Sequence, residues 1–329
     1  DPVLPVSHFV AMTQRSRLRW AWVILGVLGL LHPTMVDMDV VDVASDMPRE
    51  DLVAVEQLSS ELGMRASAGL EPLSDSMTLL RFYLHRDRVV DAAAEMYRET
   101  IQWRESFNLQ QVMSDYGTGE DYSESGSRLS AGPWRWTWQP SSLEAQHVAP
   151  YVFFGRLSHA AADGSPVLVW RAGQADYSGF VREELVSEMI RAFVAHFEDA
   201  LQSCRSATRR WKKFVRARVV IDAMGFDFEN LRYLQVLRHI MRLVQDHFPE
   251  VSATVTVVRA HWSVVALYDI LKPWLTEHVQ NKVCFLSDDF HDGLKQHSGL
   301  DVAMLPKFLG GLVPDEEAGE ALRVPFGQK

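Results

Sequence analysis

The stretch LKPWLTEHVQNKVCFL, residues 271–286, decides how the chain is read. Its first half closes a run in which Val264, Leu267, Tyr268, Leu271, Trp274, Leu275 and Val279 recur at helical spacing. Pro273 sits inside that run. It has no N–H for the Asp269 carbonyl, and its ring crowds the preceding turn, so the pattern predicts a kinked helix. Almost no loop follows before Lys282 and the short apolar strand VCFL. A lysine at the mouth of a buried strand is a local conflict that needs a reason.

Outward from this stretch, helix and strand signals alternate. ATVTVVRA (253–260) and ARVVIDAM (217–224) read as buried strands, with a helix over 182–204 before them. FENLRYLQVLRHIMRLVQDHF (228–248) is an amphipathic helix with Leu234, Leu237, Met241 and Val244 on one side. YVFF (151–154) and PVLVWRAG (166–173) read as strands around the turn ADGS. Strands separated by helices imply an α/β fold with a parallel or mixed sheet. Upstream, DLVAVEQLSSEL stops at Gly63, Ser74 or Asp75 can cap MTLLRFYLH, and a third helix spans 90–107. These three form a small helical subdomain. The chain divides into an N-terminal segment (1–48), that subdomain (49–116), a Gly-, Ser- and Glu-rich linker (117–147), the α/β domain (148–313) and a tail (314–329). The linker's WRWTW island suits either a strand-like segment laid over the domain or a membrane-interface anchor.

Composition narrows the function. An apolar content of 47% is that of a globular protein, and a formal charge of −10 opposes a general nucleic-acid binder. Cys204 and Cys284 fit no CxxC or metal spacing and read as reduced structural thiols. Arg15, Arg17 and Arg19 precede an apolar run, Trp20 to Leu31, too short for a comfortable membrane span of about 20 residues. It fits a signal-peptide core, a marginal anchor or a locally packed helix, in a protein otherwise expected in the cytoplasm and peripheral to membranes. There is no GxSxG, no GxxxxGK[ST] and no HExxH, so neither an enzyme, a cofactor nor a metal is expected.

Five ordered motifs over residues 78–312 give the chain a resemblance to the CRAL-TRIO lipid-binding domain. LLRFYLHRDRVVDAAAEMYRETIQWRESF resembles the N-terminal helical signature of that family. DGSPVLVWRAG, LVQDHFPE, ALYDILKPWL and LPKFLGG are similar to its later motifs, in order. The family includes retinaldehyde-binding, tocopherol-transfer and phosphatidylinositol-transfer proteins. The resemblance implies a sheet-floored lipid cavity closed by a gate helix, with a bound lipid and a membrane surface as partners. The seven apolar gate residues above would face the cavity, with Leu234, Leu237 and Met241 of the preceding helix and Val255 and Val257 of the strand. Each methylene drawn from a bilayer into water costs about 0.8 kcal/mol, so such a cavity must open on the membrane and reseal in solution.

In the phosphatidylinositol-transfer branch, an arginine, a glutamate and a lysine hold the headgroup. By resemblance these are Arg86, Glu250 and Lys282, two cations for a phosphodiester and a carboxylate for inositol hydroxyls. The same three can instead form a fold-stabilising ion-pair network. Asp87 replaces a basic residue of that branch. Ala217 and Val219 replace a serine and threonine that hold phosphatidylcholine, which weakens the case for that lipid. Finally, CRSATRRWKKFVRAR (204–218) holds seven Lys or Arg and no acid. Arg209, Arg210, Trp211, Lys212 and Lys213 would contact anionic lipid, with Trp211 and Phe214 inserting shallowly; a solvated loop is the plainer alternative.

Overall fold

Four helices open the fold: α1 (Arg49–Glu61), α2 (Ser76–His85), α3 (Val90–Ser106) and α4 (Leu109–Tyr116). A computed structural model describes residues 47–63, 73–116, 134–135, 143–148, 151, 154–157, 160–226 and 228–313. The apolar run at 20–31, most of the 117–147 linker and the tail from 314 lie outside the described residues. Asp75 starts α2 by accepting a hydrogen bond from the Thr78 amide at 2.9 Å, satisfying one of the amides a helix start leaves unpaired. Leu58 of α1, Leu79, Leu80 and Phe82 of α2, and Ala93, Ala94 and Met96 of α3 are buried against one another.

Among the described residues six strands follow, with helices between them: β1 (Trp134–Arg135), α5 (Leu143–Val148), β2 (Phe154–Leu157), β3 (Val167–Trp170), α6 (Tyr177–Arg182), α7 (Val186–Trp211), β4 (Ala217–Asp222), α8 (Leu234–His247) and β5 (Ser252–Val258). Then come α9 (Trp262–Leu271), α10 (Glu277–Gln280), β6 (Val283–Phe285) and α11 (His291–Ser298). The strands lie in sequence order. β1–β2 and β2–β3 pair antiparallel, and β3 through β6 run parallel. The mixed α/β fold with a helical N-terminal region is as the sequence predicts.

The period-2 rule of a strand assigns the two faces. Leu168 and Trp170 point into the large core shared with α1–α4, α7 and α8. Val167 and Val169 point to the back, where Val220, Val258, Leu294 of α11, Leu305 and Leu309 cover them. LPKFLGG seals this back layer. Gly310 takes a left-handed φ of 75°, and any Cβ on Gly311 would collide with the Leu305 carbonyl. The Gly311 amide donates to the Pro306 carbonyl at 3.1 Å.

Some elements differ from expectation: the strand expected at 151–154 lies at Phe154–Leu157, and the helix expected over 228–248 begins at Leu234, after a 3₁₀ stretch over Phe228–Tyr233. The helix expected over 182–204 begins four residues later, at Val186, because left-handed Glu184 (φ 58°) separates it from α6, which ends at Arg182. α7 then runs to Trp211, seven residues farther than expected, since Cys204, Ala207 and Thr208 keep an inward face while Arg209 and Arg210 stay outside. The opening stretch is also no kinked helix. The α-helical ladder stops at Leu271, Lys272–Trp274 form one 3₁₀ turn, and Leu275 and Thr276 are extended (ψ 138° and 151°) before α10 begins. Pro273 ends the ladder outright because the turn beyond it finds other partners, described next.

Candidate functional site

A cavity of about 300 Å³ lies between the sheet and the two helices of the opening stretch. Val219, Ile221, Val255, Val257, Val283 and Phe285 of the sheet floor it. Phe193 and Phe197 of α7, with Leu237, Ile240, Met241 and Val244 of α8, form a wall. Val264, Leu267, Tyr268 and Leu271 of α9, Leu275 of the break and Val279 of α10 roof it. Ten of the expected cavity residues are therefore brought together. Leu234 and Trp274 do not line it. Leu234 opens α8 half-buried, three residues before the first lining leucine, Leu237. The helical register that carries Leu271 inward ends before Trp274, whose ring instead lies under the Arg238 guanidinium at 4.6 Å.

Two glutamines fix the break in the roof. The Gln245 side-chain amide of α8 donates to the Trp274 carbonyl (3.1 Å) and accepts from the Thr276 amide (2.9 Å). Gln280 donates to the carbonyls of Lys272 (3.1 Å) and Leu275 (2.9 Å). Backbone groups of the segment where the helical ladder breaks are thus paired by side chains.

One end of the cavity is charged. Glu250, with a left-handed φ of 50°, sits between α8 and β5, and its buried carboxylate accepts from Arg216 Nη1 at 2.6 Å and Lys282 Nζ at 3.0 Å. His278 of α10 also bonds it, and His85 Nδ1 stands 3.9 Å away. Arg81, fully buried, donates to the Glu250 backbone carbonyl and to Val215. Burial alone would raise the Glu250 pKa, but the His85, Lys282 and His278 contacts outweigh it and hold the carboxyl well below the usual range. Burial lowers the Lys282 ammonium despite Glu250 beside it.

Glu250 and Lys282 therefore meet as the sequence implied, and both line the cavity. Arg86 does not. It ends α2, half-buried and off the lining, and left-handed Asp87 and Arg88 turn the chain immediately after it. His85, Arg216 and His278 are the residues that sequence reading missed. Arg216 carried a usable signal: it precedes its strand as Lys282 precedes β6.

The basic stretch is largely built into the fold. Arg205, Arg216 and Arg218 pair with Asp75, Glu250 and Asp163. Phe214 is half-buried beneath the Arg81 guanidinium at 4.7 Å, which removes it from membrane insertion. Trp211 is half exposed, but its ring covers Gly164. Arg209, Arg210 and Lys212 remain on the surface, with Lys213 partly covered. They sit on a helix end and its left-handed cap, where a loop was the plainer expectation.

Comparison with known proteins agrees with this architecture. Residues 157–311 match the CRAL/TRIO domain model. "Protein real-time" of Anopheles gambiae is 26% identical over 247 residues, 73% of this chain and 32% of that protein. The phosphatidylinositol/phosphatidylcholine transfer protein SFH7 of Arabidopsis thaliana is 22% identical over 289 residues, 86% of this chain and 47% of that protein. The chain thus spans between a third and a half of the length of these relatives. The crystal structure of Sfh5 superposes with a TM-score of 0.50 at 14% identity, covering 76% of this chain and 84% of that one, which supports the fold alone.

Proposed function

Because the chain carries a CRAL/TRIO domain, a lipid-binding module, we propose that it takes up one anionic amphiphile, phosphatidylinositol first, and exchanges it at membranes without chemical turnover. The observation that carries this reading is the cationic end of an otherwise apolar cavity. Arg216 and Lys282 share one carboxylate, with Arg81 behind it and two imidazoles beside it. That surplus of positive charge suits a phosphodiester, and Glu250 retains lone pairs for hydroxyl donors. Ala217 and Val219 offer no hydroxyl to a choline headgroup, which places phosphatidylcholine second.

A smaller hydrophobic cargo, of retinoid or tocopherol size, is the second reading. The closed cavity, at about 300 Å³, stands at the lower end of the roughly 300–1,000 Å³ typical of small-molecule pockets. A two-chain lipid would require the roof to move outward.

Transfer of labelled phosphatidylinositol and phosphatidylcholine between vesicles, with native mass spectrometry of the co-purified ligand, tests the reading. Inositol-lipid transfer is expected. A protein that binds vesicles yet moves neither lipid would be a docking module. A co-purified small hydrophobe without phospholipid would favour the second cargo.

A further inference from the structure

Trp170, a cavity-lining residue at the end opposite the charged cluster, carries an unclaimed hydrogen-bond donor. Trp170, the last residue of β3, has its side chain on the cavity side of the sheet, lines the cavity and meets Phe193 edge-to-face at 5.1 Å. Its Nε1 is buried and has no hydrogen-bond partner. Tyr177, which shares that end, already donates its hydroxyl to the Ala172 carbonyl at 3.2 Å. Glu250, Ser252 and Lys282 all lie at the beginnings of strands, and the Gln245 amide is committed to the roof.

Strand register fixes how far apart the two ends lie. Trp170 pairs with Ile221, Ile221 with Val257, and Val257 with Phe285, whereas Lys282 stands three residues before Phe285. Three strand spacings are about 14 Å and three residues about 10 Å, so the backbones of Trp170 and Lys282 are about 17 Å apart on the diagonal.

We propose that Trp170 selects an oxygenated cargo: a lipid whose polar head sits at Glu250 and Lys282 and whose hydrocarbon body carries a keto, hydroxyl or ether oxygen that accepts from the Trp170 indole N–H. A plain alkyl chain offers that buried N–H nothing and leaves it unsatisfied, whereas an acceptor brought to it at that depth pairs it. The inference rests on the lipid reading of the cavity and names the cargo more narrowly.

The test compares stearate with 12-oxostearate, whose keto group lies far down the chain from the carboxylate. Wild-type protein should bind the keto acid about tenfold more tightly, a difference of about 1.4 kcal/mol. Trp170→Phe, which keeps an aromatic ring and removes the donor, should lose the preference for the keto acid. In wild-type protein, one indole N–H resonance should move downfield with 12-oxostearate and not with stearate, a readout independent of whether the variant folds. Equal wild-type affinities, or a preference that survives Trp170→Phe, would overturn this inference and leave the lipid reading intact. Failure to bind either fatty acid would overturn this inference, while the phosphatidylinositol reading stands or falls by the vesicle-transfer assay.

Discussion

Lys282 answers the conflict seen at the mouth of its strand. Its ammonium belongs to Glu250, reached across 32 residues, and only 11% of its side chain is exposed. Because Arg216 and His278 also hold that carboxylate, removing the lysine does not strand a buried charge. Lys282→Ala should therefore cost only about 1–2 kcal/mol of stability while lowering inositol-lipid transfer at least about tenfold. A collapse of the unfolding midpoint would instead mark the cluster as structural. A second residue-level prediction concerns pH. Burial, with Arg156 beside it, lowers the His196 pKa to about 3, so the fold holds this ring neutral. The unfolded chain binds its proton near pH 6.5, so the contribution is complete above that value and is lost as pH falls toward 3. The slope is about 1.4 kcal/mol per pH unit from this one side chain. His196→Gln should flatten the fall in denaturant midpoint between pH 6.5 and 5. Glu250 acts lower, because its pKa lies below the ordinary carboxylate value, and its contribution fades only beneath that range.

The roof shows what sequence can and cannot reveal about an element. Val264, Leu267 and Leu271 announced their inward face through spacing alone, since a helix fixes direction by period. Pro273 announced a break but not its form. Whether a proline kinks or ends a helix depends on which partners the freed groups find, and here Gln245 comes from another helix, 31 residues before Thr276. Arg86 failed for a related reason. It follows His85 directly, and at a helix end that single step decides between cavity wall and turn. The clamp on the roof makes a prediction at this scale. Gln245→Leu keeps the side-chain volume roughly but removes the amide, leaving the Thr276 amide and Trp274 carbonyl without their partner. Loss of protection from hydrogen exchange should be confined to residues 272–280, with faster lipid exchange and a stability cost of about 1–3 kcal/mol. Unchanged exchange in that segment would show that Gln280 and the Thr276 cap suffice.

The four N-terminal helices share a buried seam with the helices that flank the sheet. Trp103 of α3 stacks on His247 of α8 at 4.1 Å, and Arg104 binds Glu198 of α7 through two bonds of 2.7 and 2.8 Å. In sequence these partners are about a hundred residues or more apart, and nothing local to RESF or FEDA signals the pairing. The helical layer backs α7 and α8, the two helices that wall the cavity, so its loss would be felt at the site. Glu198 is 3% exposed, and burial opposes its charge; Arg104 holds it ionised. Arg104→Ala leaves that carboxylate with Gln202 as its remaining short hydrogen bond, and breaking a buried pair in this way typically costs about 3–5 kcal/mol. If the layers fold together, denaturation followed by helical circular dichroism and by tryptophan fluorescence should move to a lower midpoint by the same amount in this variant, with one transition in each. Two separated transitions, with only the helical signal shifted, would show instead that the helical layer is an independent unit docked on a self-sufficient sheet.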